Sequence, residues 1–323
     1  MSYSAARIHA MRSEEIDART YRQLLTLQGE QMLALLHETE YRNDINALPL
    51  HELDDVSGID RILAHNSDRT FAKLERISRK GFADALRSYI RRNDVWNLRV
   101  ILDAIVGGGD TRDALVRYGR RGSIALTPFL DAKDIQTFVV ALRKTFPIVR
   151  AQMTTAAEVS LLLRQLRQER VQGAAAKAAS AILTDHENIT SILALQRDGV
   201  RGSDARRCLL AGGTISVGTL RAAADAQSVE DAIRSLAATP YGPVLHPPAD
   251  GIFIQVEQEI WAITLRRLGK AAGITPNRAD ILVRYLTEKE REHENLRLLF
   301  KAKRLGLDEE FIRRRLEPPR GDA

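Results

Sequence analysis

A chain of 323 residues is long enough for two or three domains and a substantial buried core. Apolar residues at 44% and charged residues at 28% are the balance of a soluble globular protein, and no apolar run reaches the roughly 20 residues of a membrane span. The single cysteine, Cys208, excludes an internal disulfide and a thiolate zinc cluster, and the net charge of +6 is dispersed over 48 basic and 42 acidic residues.

The opening "MSYSAARIHAMRSEE" has no apolar core of the signal-peptide kind, so the expected place is the cytosol or a surface facing it. Next comes "HELDD", His51 to Asp55, which offers metal-ligand types but reads as a solvated link and helix start. From Ile59 through Ile62, Leu63, Phe71, Leu74, Ile77, Leu86, Tyr89 and Ile90, apolar residues recur mostly at three- and four-residue steps, which predicts a long amphipathic helical run. "IVGGGD", Ile105 to Asp110, lacks the Lys-Ser/Thr of a phosphate loop and follows a predicted helix, so it reads as a helix stop. Met153–Leu183 is rich in strong helix formers. Cys208 sits in the apolar "RRCLLAGG" and is expected to be a buried, inert thiol. Thr239–Gly251 is a proline-rich loop. Ile252–Leu268 reads as helix, with "GIFIQV" admitting a strand start, and Ala279–Leu305 is helix. The predicted fold class is all-α.

Two short stretches look like chemistry: "DHEN", Asp185 to Asn188, and "EHEN", Glu292 to Asn295. Aligning the chain on Asn97, Asn188 and Asn295 gives another account. Three residues before each stands an acid: Asp94, Asp185 or Glu292. One, four and five residues after come Leu98, Ile101 and Leu102, then Ile189, Ile192 and Leu193, then Leu296, Leu299 and Phe300. Seven after stand Ala104, Leu195 and Ala302, and eleven after stand Gly108, Gly199 and Gly306. Asp110, Asp204 and Asp308 lie beyond, placed to cap a short helix. One helix is written three times, with a glycine at its C-terminal stop.

A second unit recurs as Leu36–Thr39, Leu142–Thr145 and Leu236–Thr239, alternating with the first. This order predicts three similar helical domains: residues 52–147, residues 148–241, and a third assembled from residues 252–323 plus 1–46. In the first copy Val95 and Trp96 replace His and Glu, which a metal site would not tolerate. His186 and His293 are therefore expected on the solvent side of their helices. The asparagine amide is expected to be hydrogen-bonded inside the bundle, oriented by the acid one turn back. No catalytic residue, metal ligand or cofactor is assigned.

Arg120-Arg121, Arg206-Arg207 and Arg313-Arg314-Arg315 each follow the glycine stop, a recurrence that suits phosphate, acidic loops or anionic headgroups. Aromatic residues at 5% are too sparse for a base-stacking surface. A basic helical repeat protein binding nucleic acid is the rival reading, and a metal hydrolase using His186 and His293 is a third.

The C-terminal "YLTEKEREHENLRLLFKAKRLGLDEEFIRRRL" resembles the family of the C subunit of archaeal-type (A/V-type) ATP synthases, related to the d subunit of eukaryotic vacuolar ATPases. The residues that carry the resemblance are Tyr285, Glu290, Asn295-Leu296-Arg297, Ala302-Lys303, Gly306-Leu307, Glu310 and Ile312. "YSAARIHAMRSEEIDARTYRQLL", "LLHETEY" and "NLRVILDA" extend it over essentially the whole chain, with the central copy more diverged. The resemblance implies a funnel of three helical domains about a pseudo-threefold axis and a non-catalytic central-stalk component of a rotary ATP synthase. It implies a peripheral place on the cytoplasmic side of the cell membrane, between the proteolipid ring and the central shaft. It implies no nucleic acid and no cofactor.

Overall fold

A computed structural model describes residues 3–53, 58–78, 81–147, 153–156, 158–160, 162–163, 166, 177–246, 254–274 and 279–316. Among the described residues the structure is helical with no strand, so the all-α reading holds. In chain order the helices are α1 (Tyr3–Arg12), α2 (Ala18–Thr26), α3 (Glu30–His37), α4 (Arg42–Asn46), α5 (Leu50–Leu53), α6 (Gly58–Ile77), α7 (Gly81–Val106), α8 (Thr111–Tyr118), α9 (Thr127–Leu130) and α10 (Ile135–Thr145). They continue as α11 (Lys177–Arg197), α12 (Gly202–Arg207), α13 (Val217–Asp225), α14 (Val229–Leu236), α15 (Ile254–Ile274), α16 (Ala279–Arg304) and α17 (Glu309–Arg313), with one 3₁₀ turn at Gly242–Val244.

Some expected boundaries move. The apolar stripe that begins at Ile59 is carried by two helices, one ending at Ile77 and the next beginning at Gly81, and each buries its own part of the stripe. His51 to Leu53 belong to α5, whereas Asp54 and Asp55 fall outside the described residues. Part of Met153–Leu183 also falls outside them, and its last residues begin α11. The "GIFIQV" stretch is helical from Ile254 onward. Cys208 is half-buried, not buried, because it is the C-cap residue of the short α12.

The chain divides into two compact units, Met1–Ser160 with Tyr285–Ala323 and Leu161–Arg284. In the first, residues from both chain ends share one core. Tyr21, Leu24 and Leu25 of α2 and Met32 and Leu36 of α3 pack with Leu296, Leu299 and Ala302 of α16 and Ile312 of α17. In the second, Ile189, Ile192 and Leu193 of α11 pack with Leu220 and Ala223 of α13, Ile233 and Leu236 of α14, and Val256 and Ile260 of α15. The positions one and four residues after the repeated asparagine are fully buried in all three copies. Each such aliphatic side chain contributes about 1.5–3 kcal/mol of burial.

The glycine stops are built alike. Gly108, Gly199 and Gly306 take φ of 67°, 75° and 69°, the left-handed region where a Cβ is strained. The next N–H turns back to a carbonyl five residues earlier: Gly109 to Ala104 (2.8 Å), Val200 to Leu195 (2.8 Å) and Leu307 to Ala302 (2.9 Å). The residue seven after each asparagine is therefore the carbonyl that closes its helix. Gly306→Ala is expected to lower stability by about 1–2 kcal/mol, the cost of a left-handed L-residue, read from urea unfolding; an unchanged midpoint would show the turn relaxes freely.

Asp110 and Asp308 cap α8 and α17, accepting from the N–H of Asp113 (2.8 Å) and Phe311 (3.2 Å). Asp204 does not cap. Its helix begins earlier, with Arg201 in the N-cap place, so Asp204 lies inside the first turn and faces Arg207 at 3.5 Å.

Candidate functional site

The repeated acid and asparagine clamp a loop. On α7, Asn97 donates from Nδ2 to the Arg120 carbonyl (2.6 Å) and accepts the Arg120 N–H at Oδ1 (2.7 Å). One turn earlier, Asp94 Oδ1 accepts the N–H groups of Ser123 and Ile124, and Oδ2 accepts the Ser123 hydroxyl at 2.6 Å. On α11, Asn188 makes the same two-way contact with Leu210 (2.8 and 2.7 Å). Asp185 Oδ1 accepts the N–H groups of Thr214 (2.7 Å) and Ile215 (3.0 Å). Its Oδ2 accepts the Thr214 hydroxyl and a guanidinium N–H of Arg267 at 3.0 Å. A loop passing a helix this closely must satisfy its own N–H and C=O groups, and the amide's paired donor and acceptor match them. A Cβ on Gly122 or Gly213 would collide with the Asp94 or Asp185 carboxylate, which accounts for glycine before Ser123 and Thr214.

The third clamp is chemically different. Glu292, on α16, accepts the Ile16 N–H at Oε2 (2.7 Å) and the Tyr41 hydroxyl at Oε1. Asn295 hydrogen-bonds the Tyr21 hydroxyl. Lys289, one turn before Glu292 and only 3% exposed, puts its ammonium on both Glu292 and Glu40, with the Tyr41 ring 4.7 Å away. Burial pushes that ammonium towards neutrality, but Glu292 and Glu40 outweigh it and raise its pKa. Burial raises the Glu40 carboxyl, with Lys289 opposing.

Neither histidine stands free on a solvent face: one is buried and His293 is half-buried. His186 is buried, its ring centroid 3.9 Å from that of Trp261 and its Nδ1 3.1 Å from Thr264 Oγ1. His293 Nε2 lies 3.0 Å from Asn66 Oδ1, and its ring meets the Tyr41 edge. Burial first, then the charges of Lys289, Arg297 and Arg120, push the His293 pKa well below its ordinary value. The solvent-side expectation fails because a second long helix covers this face: α15 over α11, and α6 over α16. Among the described residues no group of three or more His, Cys, Asp or Glu is arranged to hold a metal ion.

The arginine clusters separate. Arg120 turns inward, 2.7 Å from Glu290 and 3.4 Å from Glu294, its guanidinium over the Trp96 ring at 4.2 Å. These residues, with Lys289 and His293, line a cavity of about 90 Å³. Arg121 pairs with Glu75 (3.0 Å). Arg206 faces Asp225 (2.7 Å), Arg313 Glu309 (2.7 Å) and Arg314 Glu310 (3.0 Å), all exposed pairs, while Arg315 covers the Phe311 ring at 3.6 Å. The residues that sequence reasoning missed are the loop partners of the acids. Their signal was present: "GSI" at 122–124 and "GTI" at 213–215 each stand 29 residues after their acid, counted from Asp94 to Ser123 and from Asp185 to Thr214.

Acid and amide side chains here fasten loops to the long helices of an all-helical protein. The family model described as "ATP synthase (C/AC39) subunit" matches residues 4–315, and the chain belongs to that family, an accessory and not itself catalytic one. Curated relatives, each named as the C subunit of an A-type ATP synthase, align along nearly their whole length. The protein of Haloquadratum walsbyi is 24% identical, covering 96% of each chain. That of Haloferax volcanii is 25% identical, covering 96% of this chain and 95% of its own. That of Pyrococcus abyssi is 23% identical, covering 97% and 89%. Among the described residues no helix is long and apolar enough to cross a membrane.

Proposed function

We propose that the chain is the central-stalk adaptor of a rotary ATP synthase, seated on the cytoplasmic face of the membrane between the proteolipid ring and the central shaft. It carries torque and has no active site of its own. Its three helical repeats span residues 52–147, 148–241, and 252–323 with 1–46, arranged as a funnel about a pseudo-threefold axis. The observation that supports this best is the thrice-used unit of long helix, left-handed glycine stop and acid-held loop, joined to family membership over nearly the whole chain. An adaptor under torque needs loops that do not act as hinges, and buried hydrogen bonds to helix side chains remove that freedom.

Arg206, Arg207, Arg313, Arg314 and Arg315 remain the proposed ring- or headgroup-facing basic tips. The acids beside them are exposed, and such pairs hold with less than about 1 kcal/mol, so an anionic surface competes for the arginines. The test is affinity purification of the tagged protein from gently solubilised membranes of its own host. Shaft components, proteolipid and catalytic chains are expected in fixed ratio. Reversing Arg313, Arg314 and Arg315 to Glu is expected to deplete the proteolipid at physiological salt while leaving the circular dichroism unchanged. Recovery only from the soluble fraction, with nucleic acid or no partner, would overturn the adaptor reading.

A further inference from the structure

In two clamps the acid's second oxygen is met by a neutral hydroxyl, Ser123 on Asp94 and Thr214 on Asp185. Each hydroxyl belongs to the residue just before the isoleucine whose N–H the same acid accepts. In the third clamp that isoleucine is Ile16, and the residue before it is Glu15. A carboxyl group thus stands at the same sequence place, while the second oxygen of Glu292 is met by the Tyr41 hydroxyl and Lys289. The Glu15 Oε1 is sealed from solvent and has no hydrogen-bond partner among the described residues. Facing it are Glu288, Lys289, Glu292 and Tyr285 of α16, Arg12 of α1 and Tyr21 of α2. Two of these are carboxylates, and the cations are engaged elsewhere: Arg12 with Glu288 at 2.7 Å, Lys289 with Glu40 and Glu292.

We propose that Glu15 is a protonation latch that closes the amino-terminal segment onto α16, its carboxyl fitting beside Glu288 and Glu292 only while neutral. Ionised, it opposes Glu288 and Glu292 where Arg12 and Lys289 are already paired with other acids. The segment around Ile16 then loosens. Burial, followed by the charges of Glu288 and Glu292, pushes the Glu15 carboxyl up to about 9 from an ordinary 4.5. The sign follows from the protons bound. Between those two values the folded chain keeps a proton that the unfolded chain has released. The closure is therefore complete at the acid end of that window, weakens as pH rises through it, and is lost above about 9. This copy of the clamp joins residues far apart along the chain, Ile16 to Glu292 and Arg12 to Glu288, so its loosening frees the segment around Ile16 from α16.

The test is hydrogen exchange of the full chain from pH 6 to pH 9, corrected for intrinsic exchange, with the second clamp at 210–216 as internal reference. Protection of residues 13–21 is expected to fall by up to about tenfold per pH unit, the effect of one proton. Glu15→Gln and Glu15→Thr each remove the charge and are expected to hold that protection level across the range. Equal slopes in the native chain and both variants would overturn the latch. So would failure of both variants to fold, because a neutral side chain is all that the closed state requires. None of these outcomes depends on whether the chain works in a rotary motor.

Discussion

Lys289→Met is expected to be among the most damaging single changes, at about 3–5 kcal/mol, the usual cost of breaking a buried ion pair from one side. Methionine keeps the length of the stem, so packing between α16 and the turn after α3 is largely preserved and the loss is electrostatic. What remains is Glu292 and Glu40 in one enclosed space with the Tyr41 hydroxyl as a neutral neighbour. Neither carboxylate then has its cation. The Glu40 carboxyl already sits above its ordinary value through burial, with Lys289 the chief opposing influence. Removing the lysine carries it further up, so the folded variant takes up protons that the unfolded chain does not hold at neutral pH. The defect is therefore expected to shrink as pH falls towards 5 and to grow towards 8. Thermal unfolding at pH 7 is the measurement, with a drop in Tm on the order of 10 °C expected for a cost of this size. A second Glu292→Gln change on top of Lys289→Met is expected to restore part of the loss. A Tm within a degree of the native protein would mean that Lys289 is not buried between those acids.

The sequence carried the periodic part of this architecture well and the inward-facing polar part poorly. Helix stops are local events. A glycine eleven residues after an asparagine, following an apolar stripe, states its own left-handed turn, and Gly108, Gly199 and Gly306 all adopt it. The buried face one and four residues after each asparagine is equally local, because helical geometry alone puts those positions together. The constrained asparagine was also legible, since a buried amide must find a donor and an acceptor. Its partners were not, because Arg120 and Leu210 lie more than twenty residues away along the chain. The histidines show the limit most clearly. Their placement on the solvent side assumed that each long helix has one covered face, whereas Trp261 and Asn66 come from helices that cover another. Arg120 misled for the same reason. A pair of adjacent arginines reads as a surface tip until α16 brings Glu290 and Glu294 to one of them. Asp204 was read as a cap by counting acids beyond the glycine, but the cap position is two residues after the stop, where Arg201 stands.

Asp185→Ala should produce the second large effect, about 3–5 kcal/mol confined to the unit formed by residues 161–284. Asp185 is fully buried and holds four donors at once: the N–H groups of Thr214 and Ile215, the Thr214 hydroxyl and Arg267. Truncation leaves two backbone donors without the carboxylate that met them, each costing about 1–3 kcal/mol. It also strands a guanidinium whose remaining neighbours are the Thr214 hydroxyl and the Tyr241 ring. Asp185→Asn separates these contributions. An amide still offers an oxygen to the two N–H groups, but its nitrogen side opposes Arg267, so a loss of roughly half the alanine cost is expected. Hydrogen exchange localises the damage: residues 210–216 are expected to lose protection before the helices on either side, while Leu210, held independently by Asn188, loses least within the loop. Uniform loss of protection across 177–274 would instead mean that this clamp is part of one cooperative core. The distinction bears on the proposed adaptor role, because a loop that opens alone is a hinge, and a loop that opens only with its core is not.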